Sequence, residues 1–197
     1  MAAKIGRRVV TGLDSSGRSC ILSDGGPELV LTNGDDAGAQ SNYSQVNWMW
    51  LADEIPELPY RGDGTSPLPD LWFPGPGGTR LIIETLGPEF GVRPTAHLTM
   101  DAGARTIGDT GVNFNARYID ENGVHSSDTI DYAIVISGRL WLETGDGNET
   151  MLEAGDCVVQ MGVRHTWRNR DMEPCQVAFV MVGATRTEDP EQEQSSS

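Results

Sequence analysis

Three histidines occur in the 197 residues, His97, His125 and His165, and two of them stand where they can do chemistry. His125 opens the run His125-Ser126-Ser127-Asp128-Thr129-Ile130-Asp131-Tyr132, and His165 lies within Gly162-Val163-Arg164-His165-Thr166-Trp167-Arg168-Asn169. On an extended strand, residues two apart share a face. Unless a bulge intervenes, His125, Ser127, Thr129 and Asp131 should point the same way, and a small β-barrel would bring His125 and His165 to one cavity. Two imidazoles and a carboxylate suit Fe(II), Mn(II), Ni(II) or Zn(II) and leave positions for water and substrate. Without a metal the same groups suit proton transfer, because a histidine beside a buried carboxylate titrates near neutral pH. Both chemistries stay open at this point. Arg164 and Arg168 flank His165 and could hold a substrate carboxylate bidentately, against the plainer reading of surface ion pairs. Trp141 and Trp167 read as packing more readily than as a stacking platform. Tyr132 points to the opposite face.

The elements that must position these residues are strands. Residues 131–137 form an apolar, β-branched run ending at Gly138; 139–144 alternate polar and apolar, and 145–148 supply a turn. Further strands are expected at 149–153, 157–160, 167–169 and 175–182, with a turn at 154–156. Upstream, 8–13 and 18–22 read as a hairpin around residues 14–17. The stretch 24–43 reads as a connecting loop, 46–51 as an aromatic-rich strand, and the Pro- and Gly-rich 56–78 as turns. Strand character resumes at 80–86 and is weaker at 95–100 and 113–119. No segment after residue 80 holds a helical period. Short strands with turn signals every 8–12 residues indicate a sandwich or barrel, of which the jelly roll is one form.

Residues 80–184 resemble the cupins, small jelly-roll barrels with two motifs, Gly-x5-His-x-His-x3–4-Glu-x6-Gly and Gly-x5-Pro-x-Gly-x2-His-x3-Asn. Gly155, Gly162, His165 and Asn169 match the second, with Gln160 at the proline position and one residue fewer before it. In the first, His125 takes the first histidine, Ser127 replaces the second, Asp131 replaces the glutamate, and Gly138 closes the motif; its opening glycine has no match. The resemblance implies an all-β, cupin-like double-stranded β-helix over 80–184. Residues 1–79 would extend it with strands and loops, and 185–197 would form a disordered acidic tail. It also implies that His125, Asp131 and His165 converge as catalytic or metal-binding residues, with Ser127, Gln160, Arg164 and Trp167 on the substrate side. Cupins commonly use N-terminal strands to extend a partner's sheet, so a homodimer is expected.

Composition narrows the partners. A net charge of −15 repels nucleic-acid phosphates and anionic lipid. No apolar run approaches the ~20 residues of a membrane span, and the first residues lack the apolar segment of a signal peptide, so a cytoplasmic location is expected. Cys20, Cys157 and Cys175 are too scattered for a disulfide framework or a zinc finger. No glycine run has a phosphate-loop context. Two function classes follow. One is a small-molecule enzyme (lyase, dehydratase, decarboxylase, isomerase or oxygenase) acting on an organic acid, ketone or aromatic compound. The other is a non-catalytic cupin that binds a small ligand as a sensor or carrier.

Overall fold

A computed structural model describes residues 6–34, 42–92 and 111–187. His97, the strand expected at 95–100 and residues 188–197 of the expected tail lie outside the described residues. Within them there is no helix.

Alternation decides which face of each strand turns inward. In β8 (Thr129–Ser137), Thr129, Asp131, Ala133 and Val135 are buried while Tyr132, Ile134 and Ile136 are exposed. The same period governs β13 (Cys175–Gly183), which buries Cys175, Val177, Phe179 and Met181. These strands belong to a six-stranded sheet together with β3 (Leu29–Gly34), β4 (Tyr43–Ala52), β5 (Thr79–Leu86) and β11 (Cys157–Gln160). Its order is β11-β8-β13-β5-β4-β3.

The facing sheet comprises β6 (Tyr118–Ile119), β7 (His125–Ser126), β9 (Arg139–Thr144), β10 (Glu149–Glu153) and β12 (His165–Arg168), in the order β10-β9-β12-β7-β6. A separate hairpin pairs β1 (Arg8–Leu13) with β2 (Ser19–Gly25). The named strand pairs are all antiparallel. Between the two larger sheets lies one apolar core that includes Trp48, Ile82, Leu86, Val135, Leu140 and Phe179. Each such side chain contributes roughly 1.5–3 kcal/mol on burial. The architecture is the all-β jelly-roll barrel expected from the strand rhythm.

Two expectations need correction. The stretch 24–43 is not all loop, because Leu29–Gly34 forms β3 and pairs with β4. Its Gly-, Pro- and Asp-rich flanks hide a short apolar centre in which Leu31 is buried. Nor does one strand run from His125 to Asp131. β7 ends in the five-stranded sheet and β8 begins in the other, so the chain crosses between sheets at Ser127 and Asp128. Strand parity therefore does not carry across that step.

The motif glycines have geometric reasons. Gly138 joins β8 to β9 at φ +79°, and a Cβ there would lie 2.8 Å from the Pro174 carbonyl oxygen. Only glycine takes both the positive φ and the close approach at no steric cost. Asn169 is fully buried and acts as a staple. Its Nδ2 donates to the carbonyls of Leu86, Gly87 and Glu173 at 3.0, 3.0 and 2.8 Å, and its Oδ1 accepts from Asp171 N at 2.9 Å.

Candidate active site

A cavity of about 170 Å³ opens between the two sheets. Its walls are mostly aromatic and aliphatic, with Trp72, Phe73, Ile82, Phe114, Trp167 and Phe179 among them. The polar and ionisable groups facing it include His125, His165, Asp131, Glu84 and Ser44. No arginine or lysine is among the described lining residues.

His125 and His165 are register partners across β7 and β12. Their ring centroids are 4.5 Å apart with planes inclined at 48°. The His125 Nδ1 lies 3.0 Å from the Gly123 carbonyl. A carbonyl only accepts, so Nδ1 carries the proton and donates, which leaves a lone pair on Nε2. Burial holds the His125 imidazole below the usual range. His165 is pushed down to about 3, chiefly by burial and then by the neighbouring His125. Both rings are therefore neutral at pH 7.

The acids move the other way. Burial raises Asp131 to about 6 against a hydrogen bond from Thr129, and its Oδ1 is buried with no hydrogen-bond partner. An orphaned buried oxygen in a native fold calls for a partner such as a water, an ion or a ligand, or for a catalytic role. Glu84 was not expected from sequence. It projects from β5 into the same cavity, hydrogen-bonded to Ser44, and burial raises it to about 7. On β13, Glu84 pairs opposite Val177 and Asp131 opposite Met181. Four residues separate those partners, roughly 13 Å of strand, so the two acids serve different parts of the cavity.

Of the residues expected at the site, His125, Asp131, His165 and Trp167 line the cavity. Trp167 meets His165 and Phe179 edge-on, each at 5.6 Å. Ser127 and Gln160 stand behind the wall. The Ser127 hydroxyl is 2.7 Å from that of Thr129, and the Gln160 amide contacts Gly162, Val163 and His165. Arg164 stacks 3.9 Å over the Tyr118 ring, while Arg168 donates to Glu143 at 2.6 Å and to the Gly91 carbonyl.

The donor set does not fit a transition metal. Among the described residues, no three His, Cys, Asp or Glu side chains are placed to hold an ion. Ser127, at the position of the second histidine, has its hydroxyl committed to Thr129. Asp131 reaches in from the opposite sheet on a side chain one methylene shorter than glutamate.

The family model described as the Cupin domain matches residues 119–182. Phomopsin biosynthesis cluster protein C' of Diaporthe leptostromiformis is 40% identical over 50 residues, covering 25% of this chain and 26% of that protein. Oryzines biosynthesis cluster protein J of Aspergillus oryzae is 40% identical over 58 residues, covering 27% and 32%. The chain thus spans about a quarter to a third of the length of these relatives. Among solved structures, a cupin 2 conserved barrel domain protein from Salinispora arenicola aligns at TM-score 0.39 and 16% identity, over 74% of this chain and 81% of that one. The polyketide cyclase RemF from Streptomyces resistomycificus aligns at TM-score 0.39 and 13% identity, over 84% and 87%. The match to the Cupin domain model thus lies at residues 119–182, about a third of the chain, within the two facing antiparallel sheets.

Proposed function

We propose that this chain is a small-molecule enzyme that moves protons by acid–base catalysis, as a lyase or isomerase does, on a largely apolar ketone or aromatic compound held in the cavity. The observation that carries the reading is the joint presence, in one mostly apolar cavity, of two neutral imidazoles and the Asp131 carboxyl, raised by burial to about 6 and with its Oδ1 unpartnered. A catalytic acid or base works best with a pKa near the operating pH. His125, with its bare Nε2, suits the base; Asp131 and His165 suit proton donation and hydrogen bonding to a substrate oxygen. The organic acids of the sequence reading fit less well, since the described lining offers no cation to a carboxylate and already holds two acids. The names of the two fungal relatives, both biosynthesis cluster proteins, support a place in small-molecule biosynthesis.

The test is deuterium exchange. Hydroxylated aromatic ketones incubated with the protein in D2O should exchange their carbon-bound acidic protons, followed by NMR. His125→Ala and Asp131→Asn should each slow exchange at least 100-fold, the scale of a lost general acid or base. The apolar wall also supports a second reading, a carrier: saturable binding with no exchange across the panel would favour it and sink the enzyme.

A further inference from the structure

Gln160 occupies the position where the resemblance places a proline, and proline has no side-chain donor. Here the side chain makes three short contacts. Its Oε1 accepts from Gly162 N at 2.5 Å, and its Nε2 donates to the Val163 carbonyl at 2.7 Å. These two contacts fix which end of the amide is which, because flipping it would set N–H against N–H at Gly162 and oxygen against oxygen at Val163. The third contact is Nε2 to His165 Nδ1, also 2.7 Å. The amide nitrogen has a second hydrogen to give, and His165 Nδ1 lies within its reach.

Two neutral tautomers of His165 compete for this arrangement. With the proton on Nδ1, the ring would donate to the Val163 carbonyl at 3.0 Å but would press N–H against N–H at 2.7 Å. With the proton on Nε2, Nδ1 accepts from Gln160 at 2.7 Å. The opposing contact is then only the 3.0 Å approach of a lone pair to a carbonyl that already accepts from Gln160. The closer contact decides between them. The backbone carbonyls of Val163 and His125 both act on the ring as acceptors. We infer that Gln160 is a positioning residue that holds His165 as the Nε2–H tautomer, opposite to that of His125.

The consequence is a divided pair. Two uncharged imidazoles stand 4.5 Å apart, His125 with a bare Nε2 and His165 with a protonated one. The first can take a proton, and the second can hydrogen-bond a substrate oxygen. A protonated Nε2 offers no lone pair to a metal, so this tautomer adds a reason of its own to the poor fit of the donor set. The inference deepens the acid–base reading above but is read by spectroscopy rather than turnover, so either can fail without the other.

The experiment is long-range proton–nitrogen correlation NMR on full-length protein with 15N-labelled histidines at pH 7.5. Protonated and bare ring nitrogens resonate far apart, and the His165→Asn variant identifies the His165 signals by their loss. In the wild type, His165 is expected to show a protonated Nε2 and a bare Nδ1, and His125 the reverse. Gln160→Leu removes the donor and should exchange the two His165 signals while leaving those of His125 in place. A wild-type His165 protonated on Nδ1 would overturn the inference, as would a folded Gln160→Leu protein with an unchanged His165 pattern. Should that variant fail to fold, the wild-type spectrum alone still decides.

Discussion

Glu84 and Asp131 hold their protons longer in the folded protein than in the unfolded chain, and that has a sign. Unfolded, they titrate near 4.5 and 3.8; folded, burial lifts them to about 7 and about 6. The stability their neutral forms contribute is fully present below the unfolded values and is lost as pH rises through 6 and 7. For Glu84 the difference between 4.5 and about 7 amounts to roughly 3 kcal/mol at most. Glu84→Gln should therefore recover roughly 1–3 kcal/mol above pH 7.5 and almost nothing at pH 4, as judged by urea unfolding at both. An equal change at both pH values would mean that ionisation of Glu84 is not the cause. This residue was hidden in the sequence for a physical reason. Leu81, Ile82 and Ile83 are apolar on both parities, so the run does not say which face of β5 turns inward. The histidines were legible because the resemblance to the cupin motifs sets their spacing to Gly138, Gly162 and Asn169.

Among the elements, the joint between β12 and the end of β5 is the most exposed to a single atomic change. Asn169 spends its amide hydrogens on the carbonyls of Leu86, Gly87 and Glu173. Asn169→Asp keeps the shape but turns a carboxylate toward three carbonyl oxygens. The expected cost is roughly 2–4 kcal/mol at pH 7, eased in acid where the carboxyl is protonated, and thermal unfolding at pH 7 and pH 4 would measure it. A loss independent of pH would point to packing instead. Most strands were readable in advance, β8 and β13 above all, because a half-buried strand must alternate. What alternation could not convey was the crossing at Ser127 and Asp128: two short strands in different sheets look like one longer strand when only types and spacing are known. β3 escaped for the opposite reason, since its few apolar residues sit between turn formers.

At the scale of the whole molecule, the outer face of the six-stranded sheet is unusually apolar. Tyr132, Ile134 and Ile136 of β8 and Val159 of β11 are exposed, and Val159 pairs directly opposite Tyr132. The homodimer expected from sequence is proposed for this face, which a second copy would cover where water now meets contiguous hydrocarbon. Sedimentation at micromolar concentration should give twice the mass of one chain, and Ile134→Glu should halve it; a wild-type monomer would end the proposal. β13 gives the molecule a further property. It is the last described strand along the chain, yet it lies in the middle of its sheet, between β8 and β5. On a ribosome those two neighbours would emerge with a gap between them, and nothing already made could fill it. Such non-local pairing is slow to form. The inner wall that carries Asp131 and Glu84 is complete only once β13 joins β8 to β5, and a stop codon shortly before Cys175 would remove the seam and not an edge.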